Sequence, residues 1–246
     1  MTDRRTRIRL DALRRVLHVL AERLAGTPIL VQGSASLALR DERFPRTPQD
    51  LDLAVASPDA FELFDFSAGG ITLRAAGRVP FQPGREVRPV ASALAIVGDE
   101  DRFLVEVTAD ERRVRCGGEG AVRWQPVEYA LADRYQSYLR IRKRLNMRWQ
   151  DLADSVHLLR HAGIPLRANE VRRARDEVLS WDRASAMYSE PPEPPSEWLA
   201  AWRKTRLVDF PELCEPAEAR RLFRDFWQLP DKDARWRGNR WENLSP

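Results

Sequence analysis

The stretch that decides the fold reads Pro28-Ile29-Leu30-Val31-Gln32-Gly33-Ser34-Ala35-Ser36-Leu37-Ala38-Leu39-Arg40 and, after a spacer, Asp50-Leu51-Asp52-Leu53-Ala54-Val55. The first apolar run is short and ends at Gly33, which predicts a buried strand, a tight turn and a helix that begins beside Ser34. Serine is a favoured N-cap residue, so Ser34 is predicted to cap this helix. A glycine turn before a helix exposes backbone N–H groups that favour phosphate. The pattern therefore predicts a phosphate site at Gly33 and Ser34.

Asp50 and Asp52 form an acidic pair on the second predicted strand. They are two residues apart, so both carboxylates point to one face of the sheet while the leucines point to the other. Carboxylates about 6 to 7 Å apart repel each other unless a cation lies between them. Oxygen ligands favour a hard divalent ion, with Mg²⁺ expected first and Mn²⁺ as the alternative. Because Asp-x-Asp also occurs on solvated strand edges, the prediction depends on its combination with the glycine turn.

Gly-Ser followed by Asp-x-Asp resembles the signature of the polymerase-beta-like nucleotidyltransferases. Residues 47–53, Thr-Pro-Gln-Asp-Leu-Asp-Leu, are most similar to the bacterial AbiEii-type (type IV toxin) branch. In that family the Gly-Ser turn holds a nucleoside triphosphate and the two aspartates hold metal. The resemblance covers residues 28–162 and implies transfer of a nucleotide to RNA, such as a tRNA end. It also implies a cognate antitoxin protein that restrains the activity.

Glu106 is a candidate third carboxylate in the apolar strand predicted over residues 102–108. A lone carboxylate in such a strand is costly without a partner. The metal at Asp50 and Asp52 would supply one, so Glu106 is predicted as a third ligand or as the catalytic base. The family more often has aspartate at this place. The alternative is an edge-strand residue that faces solvent.

The remaining candidates bind phosphate or position the reactants. Arg40 follows the glycine turn, and Arg134 stands where the resemblance places a lysine that contacts the triphosphate. Asp151 and Asp154 are three residues apart and share one helix face, in a segment that resembles the family's Lys/Arg-x-x-Asp-x-x-Asp helix. Asp151 is the catalytic or positioning candidate, and Asp154 belongs to the nucleotide-binding set.

A basic segment extends over residues 134–148, with six basic residues and no acidic one. With Tyr135 and Tyr138 interleaved, it could bind an RNA backbone and stack a base. A charged helix face is also commonly just solvated, so both interpretations stay open.

The sequence predicts an α+β protein in two domains. Residues 1–124 are expected to form a nucleotidyltransferase-like domain with a mixed β-sheet flanked by helices. Residues 125–246 are expected to form a helical domain, since Pro126 marks a helix start and long helical patterns follow. A proline-rich linker is expected near residues 190–195.

Composition excludes several classes of protein. The net charge of +4 over 246 residues excludes a general polyanion binder but leaves room for a local basic patch. Two distant cysteines exclude a disulfide scaffold. No apolar run approaches the length of a membrane span, so no membrane partner and a cytoplasmic location are expected.

Two other functions compete with the toxin hypothesis. A catalytically inactive relative that binds nucleic acid or a partner protein is favoured by Arg134 and Glu106, which depart from the usual lysine and aspartate. A nucleotidyltransferase acting on a small molecule such as an antibiotic would carry the same acidic pair.

Overall fold

The computed structural model describes residues 4–24, 26–41, 44, 47–79, 90–99, 101–141, 149–161, 165–181, 187–204 and 215–244. The chain divides into two compact units, Met1–Pro126 and Val127–Pro246. This division falls two residues after the boundary expected from the sequence. Residues 142–148, which hold four of the six basic residues of the predicted basic segment, lie outside the described ranges.

The N-terminal unit is built around a mixed sheet, which confirms the predicted α+β class. Its helices are α1 (Arg4–Arg23), α2 (Gly33–Arg40), α3 (Glu111–Cys116) and a 3₁₀ helix at Pro58–Phe64. Its strands are β1 (Ile29–Gln32), β2 (Asp50–Val55), β3 (Phe66–Ala68), β4 (Ile71–Val79), β5 (Val90–Val97), β6 (Asp101–Ala109) and β7 (Val122–Trp124).

The strand order in this sheet is β3-β4-β5-β6-β2-β1-β7. Strand β2 is therefore an interior strand, parallel to β6 and antiparallel to β1. The two strands that were predicted to carry acidic residues, β2 and β6, are direct neighbours.

The two faces of the sheet are covered differently. Leu51, Leu53 and Val105 are fully buried on one face, where Arg9 of α1 lies 5.1 Å from the centroid of the Phe103 ring. Burying each of these aliphatic side chains contributes about 1.5–3 kcal/mol. On the opposite face, Val114 of α3 packs against Leu30 and Ala54 in a small buried cluster. The carboxylates of Asp50, Asp52 and Glu106 belong to this second face.

The C-terminal unit is mainly helical, as expected. Its helices are α4 (Val127–Leu139), α5 (Trp149–His161), α6 (Ala168–Trp181), α7 (Glu197–Lys204) and α8 (Pro216–Trp227). A short hairpin follows, formed by β8 (Ala234–Trp236) and β9 (Trp241–Asn243).

Aromatic side chains form the core of the helical unit. Tyr138 is fully buried, with ring centroids 5.7 Å from Trp198 and 5.5 Å from Phe223. Its hydroxyl donates to the Pro192 carbonyl oxygen at 2.9 Å, and burial raises the pKa of this phenol. The prediction that Tyr138 stacks a nucleic-acid base is therefore wrong, because its ring has no accessible face. Tyr135 packs on Trp227, with ring centroids 4.3 Å apart.

The proline-rich segment near residues 190–195 packs onto α8. Arg220 Nε donates to the carbonyl oxygens of Pro191 and Pro192 at 2.8 and 3.1 Å, and the Arg220 guanidinium pairs with Glu193 at 2.9 Å. Pro191 is buried. The segment expected to be a linker is thus part of the packed helical unit.

The helices of the described ranges include none that is long and apolar enough to cross a membrane.

Candidate active site

Strand pairing brings the predicted acidic residues of the N-terminal unit to one face. Asp52 stands directly opposite Gln32 of β1 and directly opposite Glu106 of β6. Opposed residues in a sheet point to the same side, and neighbouring strands lie about 4.8 Å apart. Asp50 is on the same side, two residues earlier in β2. Asp50, Asp52 and Glu106 therefore share one face of the sheet.

The glycine turn lies against this acidic face. Gly33 has φ +67°, a left-handed conformation that other residues adopt only with strain. A Cβ placed on Gly33 would overlap Oδ2 of Asp52 and lie 3.1 Å from its Cγ. Glycine is thus required twice at this position, by the backbone conformation and by the close approach of the Asp52 carboxylate. The turn and the acidic pair form a single local arrangement.

The structure corrects the predicted capping of α2. The helix begins at Gly33, the residue before it is Gln32, and Gln32 makes no side-chain capping hydrogen bond. The prediction that Ser34 is the N-cap is wrong, since Ser34 lies inside the first turn and is 5% exposed. A helix start leaves its first backbone N–H groups without intrahelical acceptors, and these groups suit an anion. Any phosphate at this turn would therefore be held mainly by the backbone.

We expect Gly33→Ala to impair nucleotide binding beyond its cost in stability. Alanine at a left-handed position costs about 1–2 kcal/mol of folding free energy, and its Cβ would also displace the Asp52 carboxylate. A misplacement of a reacting group by about 1 Å costs about 10²-fold in rate, so transfer activity should fall by a factor of this order. Calorimetric titration with a magnesium nucleotide and a thermal melt measure the two effects separately.

Gly98→Ala is the matched control for this variant. Gly98 has φ +55°, and a Cβ there meets nothing within 4 Å. The control carries the same kind of backbone strain without the clash, so it should lose stability and keep nucleotide affinity. Equal nucleotide affinity in the two variants would show that the contact of Gly33 with Asp52 has no role in binding.

Arg113 is a basic residue near the acidic face that sequence reasoning missed. Its Nη1 donates to Oε1 of Gln32 at 3.1 Å, and its Nε lies 3.7 Å from Oδ2 of Asp110. Asp110 also caps α3 by accepting from the backbone N–H of Arg112 at 3.1 Å. Because Gln32 is the register partner of Asp52, Arg113 brings positive charge to this side of the sheet. Its side chain is only 15% exposed.

The donor set of the acidic face suits a hard cation. Mg²⁺ is commonly held by one or two carboxylates together with substrate phosphates, and Asp50 and Asp52 offer such a pair. In the part of the chain that the structure describes, no group of three Asp, Glu, His or Cys side chains lies close enough together to hold a metal ion. The assignment of Glu106 as a third ligand therefore stays a prediction.

Arg40 lies at the far end of α2 from the glycine turn. Its Nε donates to the Ser36 carbonyl oxygen at 3.0 Å and its Nη2 to the Gln125 carbonyl oxygen at 2.9 Å. Seven residues of helix separate it from Gly33, which corresponds to about 10 Å. These contacts attach α2 to the segment after β7, and triphosphate binding by Arg40 stays a prediction.

Arg134 and Asp154 form a buried ion pair within the helical unit. Nη2 and Nε of Arg134 lie 3.0 and 3.3 Å from Oδ2 of Asp154, and Nη1 donates to the Ala130 carbonyl oxygen at 3.0 Å. The two side chains are 5% and 0% exposed. This geometry joins α4 to α5. The role of either residue in nucleotide binding stays a prediction, and it would require the pair to open.

Asp151 lies half-buried in the first turn of α5. Its backbone carbonyl oxygen accepts from Ser155 Oγ at 2.7 Å. Its predicted catalytic or positioning role is not decided by these contacts.

No protein-family model and no curated protein matches the chain. Among solved structures, the chain is similar to the solution structure of the antibiotic-resistance factor ANT(2'')-Ia. The two are 17% identical, the match covers 70% of this chain and 91% of that chain, and the TM-score is 0.40. A match at this level of identity and TM-score does not indicate the activity of this chain. The AbiEii-type resemblance stays a prediction.

Proposed function

We propose that the N-terminal unit is a metal-dependent nucleotidyltransferase whose site is the acidic face beside Gly33. The observation that supports this most strongly is the close approach of Gly33 to the Asp52 carboxylate. It joins a backbone turn suited to phosphate with an acidic pair suited to a divalent cation. Neither feature alone would distinguish a transferase from a solvated strand edge.

Each residue of this site has a role in the proposed reaction. The N–H groups at the start of α2, at Gly33 and Ser34, bind the phosphates of a nucleoside triphosphate. Asp50 and Asp52 would hold Mg²⁺ or Mn²⁺, which when bound neutralises charge on the phosphates. Arg113 adds positive charge on the same side, through its contact with Gln32.

The reaction is substitution at the α-phosphorus. The acceptor oxygen forms a bond to that phosphorus while the bond to the bridging oxygen breaks, and pyrophosphate leaves. Glu106 is the proposed base for the acceptor proton, since it stands opposite Asp52 in the neighbouring strand. Asp151 is the second candidate for this role.

The acceptor proposed from the family resemblance is RNA, such as a tRNA end, with the protein acting as a toxin under a cognate antitoxin. A small-molecule acceptor would use the same chemistry. An inactive binding relative is favoured by one contact, the burial of Arg134 against Asp154, since this arginine stands where the family presents a lysine.

Incubation with each α-labelled nucleoside triphosphate, magnesium and total RNA tests these functions together. We expect label on RNA from the wild-type protein and none without divalent metal. Label on an added small-molecule antibiotic instead of RNA would support the small-molecule enzyme. Nucleotide binding without label on any acceptor would identify the inactive relative and overturn the proposed transfer.

A further inference from the structure

The face of the sheet that carries the acidic pair continues beyond β6 over β5 and β4. In the strand register, Asp50 stands opposite Leu104 of β6, and Leu104 stands opposite Leu94 of β5. Leu94 in turn stands opposite Arg74 of β4. Opposed residues of paired strands point to the same side of a sheet. These four residues therefore form one row across the sheet, which we call the open row.

The centre of the open row is apolar and exposed to solvent. Leu94 and Leu104 are 37% and 36% exposed, and in the described part of the N-terminal unit no other large apolar side chain is exposed. Ile96, the next residue on this side of β5, is half-buried. Isolated exposed leucines need no explanation, but adjacent ones with charged groups beside them are typical of a binding surface.

Charged groups of opposite sign stand at the two ends of the open row. Asp50, which with Asp52 would hold the divalent cation, is at one end, and the exposed Arg74 is at the other. Three strand spacings separate Asp50 from Arg74, which corresponds to about 14 Å. A ligand lying along the row would contact the bound cation, then the two leucines, and then a guanidinium group suited to a carboxylate, sulfate or phosphate.

The direction of the proposed reaction assigns the open row to the acceptor. In the substitution at phosphorus, the attacking and leaving oxygens lie roughly in line on opposite sides of the α-phosphorus. The proposed phosphate site at the start of α2 directly follows β1, and β1 and β6 flank β2 on opposite sides. The acceptor therefore approaches over β6 and β5, where Glu106 can accept its proton.

We infer that the open row binds the acceptor, and that this acceptor is a small alcohol with an apolar body and one anionic group. The inference rests on the proposed function and names the acceptor of the same site. The described charged residues on this side of β2, β4, β5 and β6 are three carboxylates and two arginines, which are Asp50, Asp52, Glu106, Arg74 and Arg102. A polyanion would find too few cations here, and a polycation is repelled by the arginines. Leu94 and Leu104 are then the residues that determine acceptor specificity.

The test uses 3-(4-hydroxyphenyl)propanoate, which carries a hydroxyl on an aromatic ring and a single carboxylate. Its binding to the full chain is measured by saturation-transfer difference NMR, with and without a magnesium nucleotide whose α–β bridging oxygen is replaced by methylene. Tyramine, with an ammonium group at the end of the same two-carbon chain, is the charge-reversed probe. With the nucleotide present, we expect the carboxylate to bind about fivefold or more tightly than tyramine.

Variants test the two parts of the open row separately. The double variant Leu94→Thr/Leu104→Thr should weaken binding of both probes about tenfold, since it removes apolar contact area while keeping residues that suit a strand. Arg74→Ala should abolish the preference for the carboxylate. Ile141→Thr is the matched control, because Ile141 is 46% exposed in the helical unit, and it should leave both affinities unchanged. Circular dichroism verifies that each variant is folded.

Transfer to the probe is measured with an α-labelled nucleoside triphosphate. The phenol oxygen forms a bond to the α-phosphorus and Glu106 takes its proton, while the bond to the bridging oxygen breaks and pyrophosphate leaves. We expect the labelled nucleotidyl ester of the phenol from the wild type, and about tenfold less from Leu94→Thr/Leu104→Thr at low probe concentration.

The outcomes separate this inference from the proposed function. No probe binding by the wild type, equal affinity in the leucine and Ile141 variants, or tyramine binding as tightly as the carboxylate would each overturn it. A wild-type dimer in sedimentation that Leu94→Thr/Leu104→Thr dissociates would also overturn it, since a second copy would then cover the leucines. If the probe binds through the open row but calorimetry detects no binding of a magnesium nucleotide, the proposed transferase fails and the binding site stands.

Discussion

Asp52→Asn is expected to abolish magnesium-dependent nucleotide binding and to reduce transfer by about a hundredfold or more. The amide keeps the shape of the side chain but loses the charge that a divalent cation requires. Because the change removes one of two like charges on β2, the melting temperature should be unchanged or slightly higher. Calorimetric titration with a magnesium nucleotide and a thermal melt of the same sample measure both effects. Asp50→Asn should behave in the same way.

Asp99→Asn is the control for this prediction. Asp99 is exposed in the turn between β5 and β6, so the same chemical change occurs away from the acidic face. It should leave nucleotide affinity and transfer close to wild type. If Asp52→Asn binds the magnesium nucleotide as tightly as Asp99→Asn, the acidic pair holds no catalytic metal.

Arg134→Ala is expected to destabilise the helical unit by about 3–5 kcal/mol, because it leaves the buried Asp154 carboxylate without its partner. The free energy of unfolding can be followed in urea by tryptophan fluorescence. Seven of the eight tryptophans lie after residue 126, so this signal reports mainly on the helical unit. The double variant Arg134→Met/Asp154→Leu should recover most of the loss, since it removes both charges together.

An exposed ion pair provides the comparison for this variant. Arg115 Nη2 lies 2.5 Å from Oε1 of Glu111, and the two side chains are 72% and 58% exposed. Arg115→Ala should cost less than about 1 kcal/mol. A near-native stability for Arg134→Ala, together with a loss of transfer that Arg134→Lys restores, would contradict a purely structural pair. It would support the predicted contact with the triphosphate.

The acidic face could be predicted because the direction of side chains along a strand depends only on residues that are adjacent in sequence. The alternation Asp-Leu-Asp-Leu predicts a strand with two carboxylates on one side. The structure confirms the strand and the complete burial of Leu51 and Leu53. The turn at Gly33 was predictable for the same reason, as it separates a short apolar run from a helical pattern. The N-cap was predicted at Ser34, two residues after its position at Gln32, because helix boundaries depend on contacts that the identity of a residue alone does not reveal.

The partners of this face were not predictable from local pattern. Gln32 and Arg113 are 81 residues apart. They meet because β1 pairs with β2, while α3 follows β6, which lies on the other side of β2. The same sheet order places Glu106 opposite Asp52. The sequence suggested that Glu106 required a partner, and the order of the strands decided which residue stands beside it.

Tertiary packing decided whether the charged and aromatic residues of the helical unit are buried or exposed. In the sequence, Arg134 begins the basic segment and Tyr138 lies within it. This pattern suits a nucleic-acid-binding surface as well as a packed core. Arg134 is instead paired with Asp154, and Tyr138 lies against Trp198 and Phe223. Side-chain alternation in a strand and the stereochemistry of a turn depend on only a few consecutive residues, so the local sequence is enough to specify them. Burial of a charge or an aromatic ring depends on a partner from a distant segment, and that partner is known only when the chain has folded.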